Sequence, residues 1–341
     1  MTNTICIILA AGEGTRMKTN KPKVLSEVNF KPMLKWVLES VSASGIKDTC
    51  VVAGYKFELV VNYLKTLDGR YETVIQQERR GTAHAVSMAK GFLERNFNKD
   101  VLILNGDAPF LDSETITQAY KLHKDSKNAA TVISAKVSNP FGYGRIVRDP
   151  KSGNVVSIVE QKDADSETKL INEVNSGAYW FKVGSLLNVL GKIQNNNSQG
   201  EFYLPDAISL LISENENVGS YTSYSESTVL GANNLSELNA LNEISRKKTL
   251  KNLMNSGVNI PCIDGIIIGS DVKIGKATTI LPGTVISGAT TISEQCNIGP
   301  NTIIKNSVIK SNCTLCSVYC ENSILENNTD LAPFSIVKNV D

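Results

Sequence analysis

Short apolar runs punctuate the N-terminal part of the chain. Ile5-Cys6-Ile7-Ile8, Cys50-Val51-Val52-Ala53, Val101-Leu102-Ile103-Leu104 and Ala130 to Val137 each end at glycine or polar residues. Runs of this length read as strands buried on both faces. Tyr71 to Gln77 is a further strand, and Pro32 can open a helix from Met33 to Ser44 that stops at Gly45. Strand and helix alternate in this way to about residue 225. That predicts an α/β fold with a mixed, mostly parallel, Rossmann-like sheet covered on both faces. Ligands of such sheets bind beyond the carboxyl ends of the strands.

The period then changes. Leu235, Leu238, Leu241, Ile244, Leu250 and Leu253 mark an amphipathic helix ending at Gly257, with Arg246, Lys247, Lys248 and Lys251 toward its C-terminal end. Beyond it, Ile268, Ile274, Ile280, Ile286, Ile292, Ile298 and Ile304 recur at a fixed hexad spacing. Val272, Thr278, Thr284, Thr290, Cys296, Thr302 and Val308 follow them, all small or β-branched. An unbroken hexad predicts a short left-handed parallel β-helix, with about 18 residues per triangular coil. The phase slips at Ile309 and returns at Leu315, Leu325, Leu331 and Val337, giving about four coils. The expected organisation is a first domain over residues 1–228, a linker helix over 229–257 and the β-helix over 258–341.

Composition narrows the class. The chain has 341 residues, 41% hydrophobic content and a net charge of +1, with no broad basic field for nucleic acid. No apolar run approaches the roughly 20 residues of a membrane span. No secretory signal precedes the first strand, so a cytoplasmic location is expected. Seven scattered cysteines fit reduced thiols. Cys313, Cys316 and Cys320 have no histidine near them to complete a zinc site, and read as lining of the coils.

Candidate chemistry concentrates where the first strand ends. Ala10-Ala11-Gly12-Glu13-Gly14 leaves backbone N–H groups open to a bound anion, and Arg16, Lys18, Lys21 and Lys23 follow within one loop. Met17 stands where a dinucleotide fingerprint would place its third glycine, and the Walker spacing is absent. A phosphate loop and an ordinary strand-to-helix turn both remain open. Asp107, directly after an apolar run, suits a magnesium ion or a turn before Pro109. Gln76 offers a donor and an acceptor to a pyrimidine edge, or is a surface residue. His84 and His123, the only histidines, read as helix-surface or packing residues.

The string L-A-A-G-x-G-T-R-M from Leu9, followed by P-K-V-L from Pro22 to Leu25, resembles the signature of sugar-1-phosphate nucleotidyltransferases. The resemblance is nearest to the uridylyltransferase half of the bacterial bifunctional enzyme that makes UDP-N-acetylglucosamine. It extends to Gln76–His84, to Gly106-Asp107 and to the Gly231-Ala232-Asn233-Asn234 string, in the family's order. Its implication is transfer of the UMP group of UTP to N-acetylglucosamine 1-phosphate, with Mg²⁺ as cofactor. By this resemblance Arg16 and Lys23 are catalytic, and Asp107 and Asn233 hold the metal. Leu9, Ala10, Ala11, Gly12, Gly14, Gln76, Gly81, Thr82, Asn105, Gly106, Gly144, Glu160, Asn175 and Asn233 contact substrates. Asn105 stands where the family carries an aromatic, and Glu13 where it carries lysine or a neutral residue; Glu13 is expected to face solvent. The family's β-helix is longer and carries an acetyltransferase site with a histidine base. The repeat region here has no histidine, so acetyltransferase activity is expected to be absent, and the β-helix to serve a homotrimer. Rival readings are a nucleotidyltransferase for another base or sugar, such as dTTP or glucose 1-phosphate, a non-catalytic regulatory subunit of the same fold, and an acyltransferase.

Overall fold

Ile5 and Ile7 point to one side of the first strand and Cys6 and Ile8 to the other, and all four are fully buried. A strand without a solvent side belongs in the middle of a covered sheet. A computed structural model, which describes residues 3–339, places it there. The strands of this first unit are β1 (Thr4–Ala10), β2 (Asp48–Ala53), β3 (Tyr71–Ile75), β4 (Asp100–Asn105), β5 (Ala130–Lys136), β6 (Arg145–Arg148), β7 (Val155–Val159), β8 (Glu173–Lys182) and β9 (Val218–Ser223). Their order is β9-β5-β8-β4-β1-β2-β3, with the β6–β7 hairpin attached through β8. β8 runs antiparallel to β4 and β5, and the other pairs along this path are parallel, so the sheet is mixed and mostly parallel as the alternation predicts.

Helices cover both faces. α1 (Met33–Ala43), α2 (Phe57–Lys65) and α5 (Ser113–Asp125) pack with Cys6 and Ile8. α3 (Thr82–Met88), α4 (Lys90–Arg95), α6 (Val183–Leu190) and α7 (Asp206–Ser213) pack with Ile5 and Ile7. Leu9 pairs with Asn105 and Ala10 with Ala53, so the carboxyl ends of β1, β2 and β4 stand side by side. Three backbone bonds extend the ladder past those ends: Gly106 N–H to Leu9 O, Tyr55 N–H to Ala11 O and Gln76 N–H to Ala53 O. These bonds fix where the first residue of each loop leaves the sheet.

The second unit comprises residues from 236 onward together with Glu27–Lys31. α8 (Leu235–Asn255) buries Leu241, Leu250 and Leu253, but Leu235 and Ile244 are exposed, so the apolar stripe read from the sequence is only partly used. The hexads form three stacks of short parallel strands, one of five strands and two of four, as a left-handed hexapeptide β-helix requires. The repeating isoleucines point inward: Ile268, Ile280, Ile286, Ile292, Ile298 and Ile304 are buried in one core with Ile309, Leu315 and Leu325. Thr278, Thr284, Thr290 and Thr302 are buried as well, and each hydroxyl donates to a backbone carbonyl. That explains why small β-branched residues recur there: the corner has little room and an orphan carbonyl to satisfy. The phase slip has a structural cause too. Thr291 pairs with Val308, one residue short of the earlier 18-residue spacing between Lys273 and Thr291. The shortened turn is closed by Asn306 in the left-handed region, a conformation asparagine tolerates better than most residues. Cys296, Cys313 and Cys320 line the interior, and Cys316 is half-buried. Ile304 stacks between Ile286 and Cys320. Ile304→Ala is expected to cost about 2–5 kcal/mol in denaturant unfolding of this unit, because stacked rungs cannot collapse around the void.

Residues Glu27–Lys31 form the tip of a hairpin whose two turn residues, Asn29 and Phe30, both have positive φ. Their partners lie in the second unit: Asn29 donates to Ile268 O, and Lys31 pairs with Asp271.

Candidate active site

The loops leaving β1, β3 and β4 enclose a cleft of about 350 Å³. Leu9, Ala11, Gly12, Lys23, Gln76, Gly81, Thr82, Asn105 and Asp107 line it, together with Arg79 and Glu201. The structure thus brings most of the expected nucleotide and metal residues to one place. Ala10 is buried in the strand beneath, and Gly106 is held by its bond to Leu9 O.

The loop after β1 is shaped by Gly14, whose φ is +66°. A Cβ there would lie 2.8 Å from the Lys23 Cβ, so glycine lets the loop fold over the lysine stem. Gly12 is different: a Cβ at that position would meet nothing within 4 Å. The space beside its backbone is open, as an incoming phosphate needs. Arg16 sits on a short 3-10 turn, exposed, and does not line the cleft.

Lys23 is the centre of the cleft's electrostatics. Its stem is buried, and its Nζ ion-pairs with Asp107 and donates to Asn233 Oδ1 at 2.7 Å. Two hard oxygen donors, far apart in sequence, therefore converge on one cation. The carbonyl oxygen of Asp107 also lies 3.0 Å from where a Gly231 Cβ would stand, which brings the Gly231–Asn234 loop against the metal-candidate strand end. A carboxylate and an amide oxygen around one positive centre suit Mg²⁺, which takes few protein ligands and fills its other positions with water and phosphate oxygens. Among the described residues no group of three or more His, Cys, Asp or Glu side chains is arranged to hold a metal.

Glu13 corrects an expectation. It does not face solvent freely but ion-pairs with Arg79 across the mouth of the cleft. The acid in the loop after β1 is matched by an arginine in the Gln76–His84 string, a pairing with no local mark in the sequence. Thr82 also has a role within the fold. Its hydroxyl accepts from Leu204 N–H, and Ala83 N–H donates to Phe202 O. Those bonds tie the 201–204 loop to the start of α3, where Thr82 also lines the cleft.

A second cluster joins the first. Gly177, with φ +75°, sits in a β8 irregularity between Asn175 and Ala178, and a Cβ there would lie 2.3 Å from Asn105 Nδ2. The bulge re-aims the strand beside the cleft. Gly177 N–H donates to Asn175 Oδ1, Asn175 N–H donates to Gly144 O, and Glu160 Oε1 is 3.0 Å from the Cβ position of Gly144. Gly144, Glu160 and Asn175, separate in sequence, are therefore neighbours, linked through Gly177 to Asn105; Gly144 and Asn175 are buried and Glu160 is half-buried. Arg145, which sequence reading passed over, is fully buried beside them; its Nη2 donates to Gln161 Oε1, and its Nε has no hydrogen-bond partner among the described residues.

Burial, with Asp163 and Asp206 nearby, raises the Glu160 carboxyl above the usual glutamate range, and Arg145 opposes the rise. A raised folded-state value means that the ionised form is disfavoured in the fold. Stability from this group is present below the unfolded value and is lost as pH rises through the folded one. Glu160→Gln should therefore melt above the wild type at pH 7, with the gap closing near pH 4. Thermal scans over pH check this.

Comparison with known proteins agrees with this fold and site. A crystal structure from Bacillus anthracis, assigned as a glucose-1-phosphate thymidylyltransferase in complex with a sucrose, superposes with a TM-score of 0.59 at 19% identity, covering 71% of this chain and 95% of that one. It supports the fold alone: a nucleotidyltransferase-type α/β sheet. The nucleotidyl transferase family profile matches residues 5–227, and the chain belongs to that family. It is 40% identical over 338 residues to the bifunctional protein GlmU of Thermoanaerobacter pseudethanolicus, covering 99% of this chain and 72% of that protein. To the bifunctional protein GlmU of Clostridioides difficile it is 38% identical, covering 98% of this chain and 72% of that protein. The resemblance read from the motifs is borne out, and the chain is a sugar-1-phosphate nucleotidyltransferase enzyme of GlmU type.

Proposed function

We propose that the protein transfers the uridylyl group of UTP to N-acetylglucosamine 1-phosphate and releases pyrophosphate. The observation that carries this reading is the Lys23 ammonium bracketed by Asp107 and Asn233, inside a cleft that also holds Gln76. An oxygen of the sugar phosphate forms a bond to the α phosphorus, and the bond from that phosphorus to the β-bridging oxygen breaks. The nucleophile is already anionic and pyrophosphate already leaves well, so no general base is required. The protein has to bring mutually repelling anions into line and neutralise them. Lys23 would bridge the α phosphate and the sugar phosphate, and the open backbone at Gly12 would receive the β and γ phosphates. Arg16 would reach them only by moving inward from its exposed turn. Bound Mg²⁺, held by Asp107 and Asn233, would neutralise phosphate charge. Gln76 would take the uracil edge, and Gly144, Glu160 and Asn175 the sugar.

Acetyl transfer forms no part of the proposal, because neither histidine of the chain lies in the β-helix. Trimerisation by family analogy would use the outward column of one β-helix face, where Ile267, Ile303 and Ile336 are exposed. Light scattering that returns a monomer removes that part. Among the described residues no helix is long and apolar enough to cross a membrane; a cytoplasmic site of action is proposed from the substrates. Pyrophosphate release measured across UTP, CTP, dTTP and GTP with several sugar 1-phosphates tests the reaction. The highest kcat/KM is expected for UTP with N-acetylglucosamine 1-phosphate, in the presence of magnesium. A preference for dTTP or glucose 1-phosphate would refute the assignment.

A further inference from the structure

Gln76 is buried at the edge of the cleft, directly after β3. Its amide nitrogen lies 3.2 Å from the carbonyl oxygen of Gly81 and 2.9 Å from His84 Nδ1. A carbonyl oxygen can only accept, so the group facing Gly81 must be the NH₂ and not Oε1. The chemistry of the partner therefore sets the amide's orientation. An amide nitrogen has two hydrogens, and both are now committed, one to Gly81 and one to His84. In this bond His84 Nδ1 must be the lone-pair nitrogen, which puts the proton of the neutral ring on Nε2. What Gln76 has left for a ligand is Oε1, an acceptor.

The consequence concerns base choice. A uracil ring carries a hydrogen on N3 and can donate to such an acceptor. A cytosine ring presents a lone pair at N3, which would face the oxygen unfavourably. We propose that His84 is a positioning residue for base selection: it locks the Gln76 amide so that an acceptor meets the pyrimidine N3 position. This rests on the reading that Gln76 takes the uracil edge. His84 stands in the first turn of α3, eight residues beyond Gln76, so the β3–α3 connection holds the two at bonding distance. Without the imidazole, Gly81 alone orients the amide. A flipped amide then turns its NH₂ toward the ring, where it suits cytosine. Uracil and thymine share the N3 hydrogen, so this device does not separate them.

The test is the ratio of kcat/KM for UTP to that for CTP, with N-acetylglucosamine 1-phosphate as the second substrate. His84→Leu should lower the ratio about tenfold, mainly through KM for UTP, with KM for the sugar phosphate unchanged. His84→Ala serves if the leucine variant does not fold. His84→Asn restores most of the ratio, because its Oδ1 stands two bonds from Cβ as Nδ1 does. A ratio unchanged from wild type in the folded variants overturns the proposal, as does an equal loss of both activities. A wild-type protein with no preference for UTP over CTP refutes the uridine reading itself, and that result is visible before any His84 variant is made.

Discussion

Lys23→Ala should lower kcat/KM for nucleotidyl transfer by roughly 10²–10³, the scale of removing one preorganised group that stabilises transition-state charge. The same substitution should tighten binding of a divalent ion to the substrate-free protein about tenfold. The two effects have one origin. In the free protein the Lys23 ammonium sits where the Asp107 carboxylate and the Asn233 amide oxygen converge. It therefore competes with any other cation for those oxygens. Removing a positive charge from a partly desolvated site is worth more than the ~1 kcal/mol of a fully hydrated pair, and about 1.4 kcal/mol is tenfold. Turnover falls on the proposed role of Lys23 because, among the described residues lining the cleft, the other cation is Arg79, which is tied to Glu13. Steady-state kinetics and Mn²⁺ binding read by electron paramagnetic resonance separate the two outcomes.

Asp107→Ala is expected to lose roughly 10²–10³ in rate and to abolish the saturable dependence on magnesium. Mn²⁺ binding to the free protein should weaken with it, unlike the lysine variant. The double variant Lys23→Ala/Asp107→Ala should lose little beyond the worse single one, since groups that act as a unit are non-additive. Near-normal turnover of Asp107→Ala in magnesium would remove the metal assignment.

What could be read in advance follows from how local each signal is. The buried runs at Ile5–Ile8 and Val101–Leu104 announce a strand covered on both faces, because no polar side alternates with the apolar one. The hexads from Ile268 to Ile304 announce stacked coils, because a fixed period survives any detail of the turns. Pairings between distant loops carry no such local mark. Nothing near Glu13 says that its partner is Arg79, and nothing near Lys23 says that Asp107 and Asn233 will meet at its Nζ. The family strings brought those positions together; the charges alone did not. Arg145 carries no local mark of its surroundings, yet it is buried beside the Gly144–Glu160 cluster. Asn29 and Phe30 lack periodicity, so their place with the β-helix unit was illegible; it depends on a two-residue turn with both φ positive, and on bonds to Ile268 and to Asn242.

His84 shows a finer limit. A lone histidine on a short helix is most simply a packing residue, and its backbone placement fits that. Only the distance to the Gln76 amide, together with the Gly81 carbonyl on its other hydrogen, gives the ring a task. Specificity devices of this kind are written in hydrogen-bond inventories, which sequence spacing does not reveal.

The central claim is that one lysine-centred cleft receives both the nucleotide phosphates and the divalent ion. A crystal structure with a non-hydrolysable UTP analogue and Mg²⁺ tests it most directly. The expected result has uracil against Gln76, phosphates between Gly12 and Lys23, and the ion on Asp107 and Asn233 with the lysine displaced from between them. A nucleotide bound away from Gly12, Lys23 and Asp107, or an ion held by other residues, would contradict it.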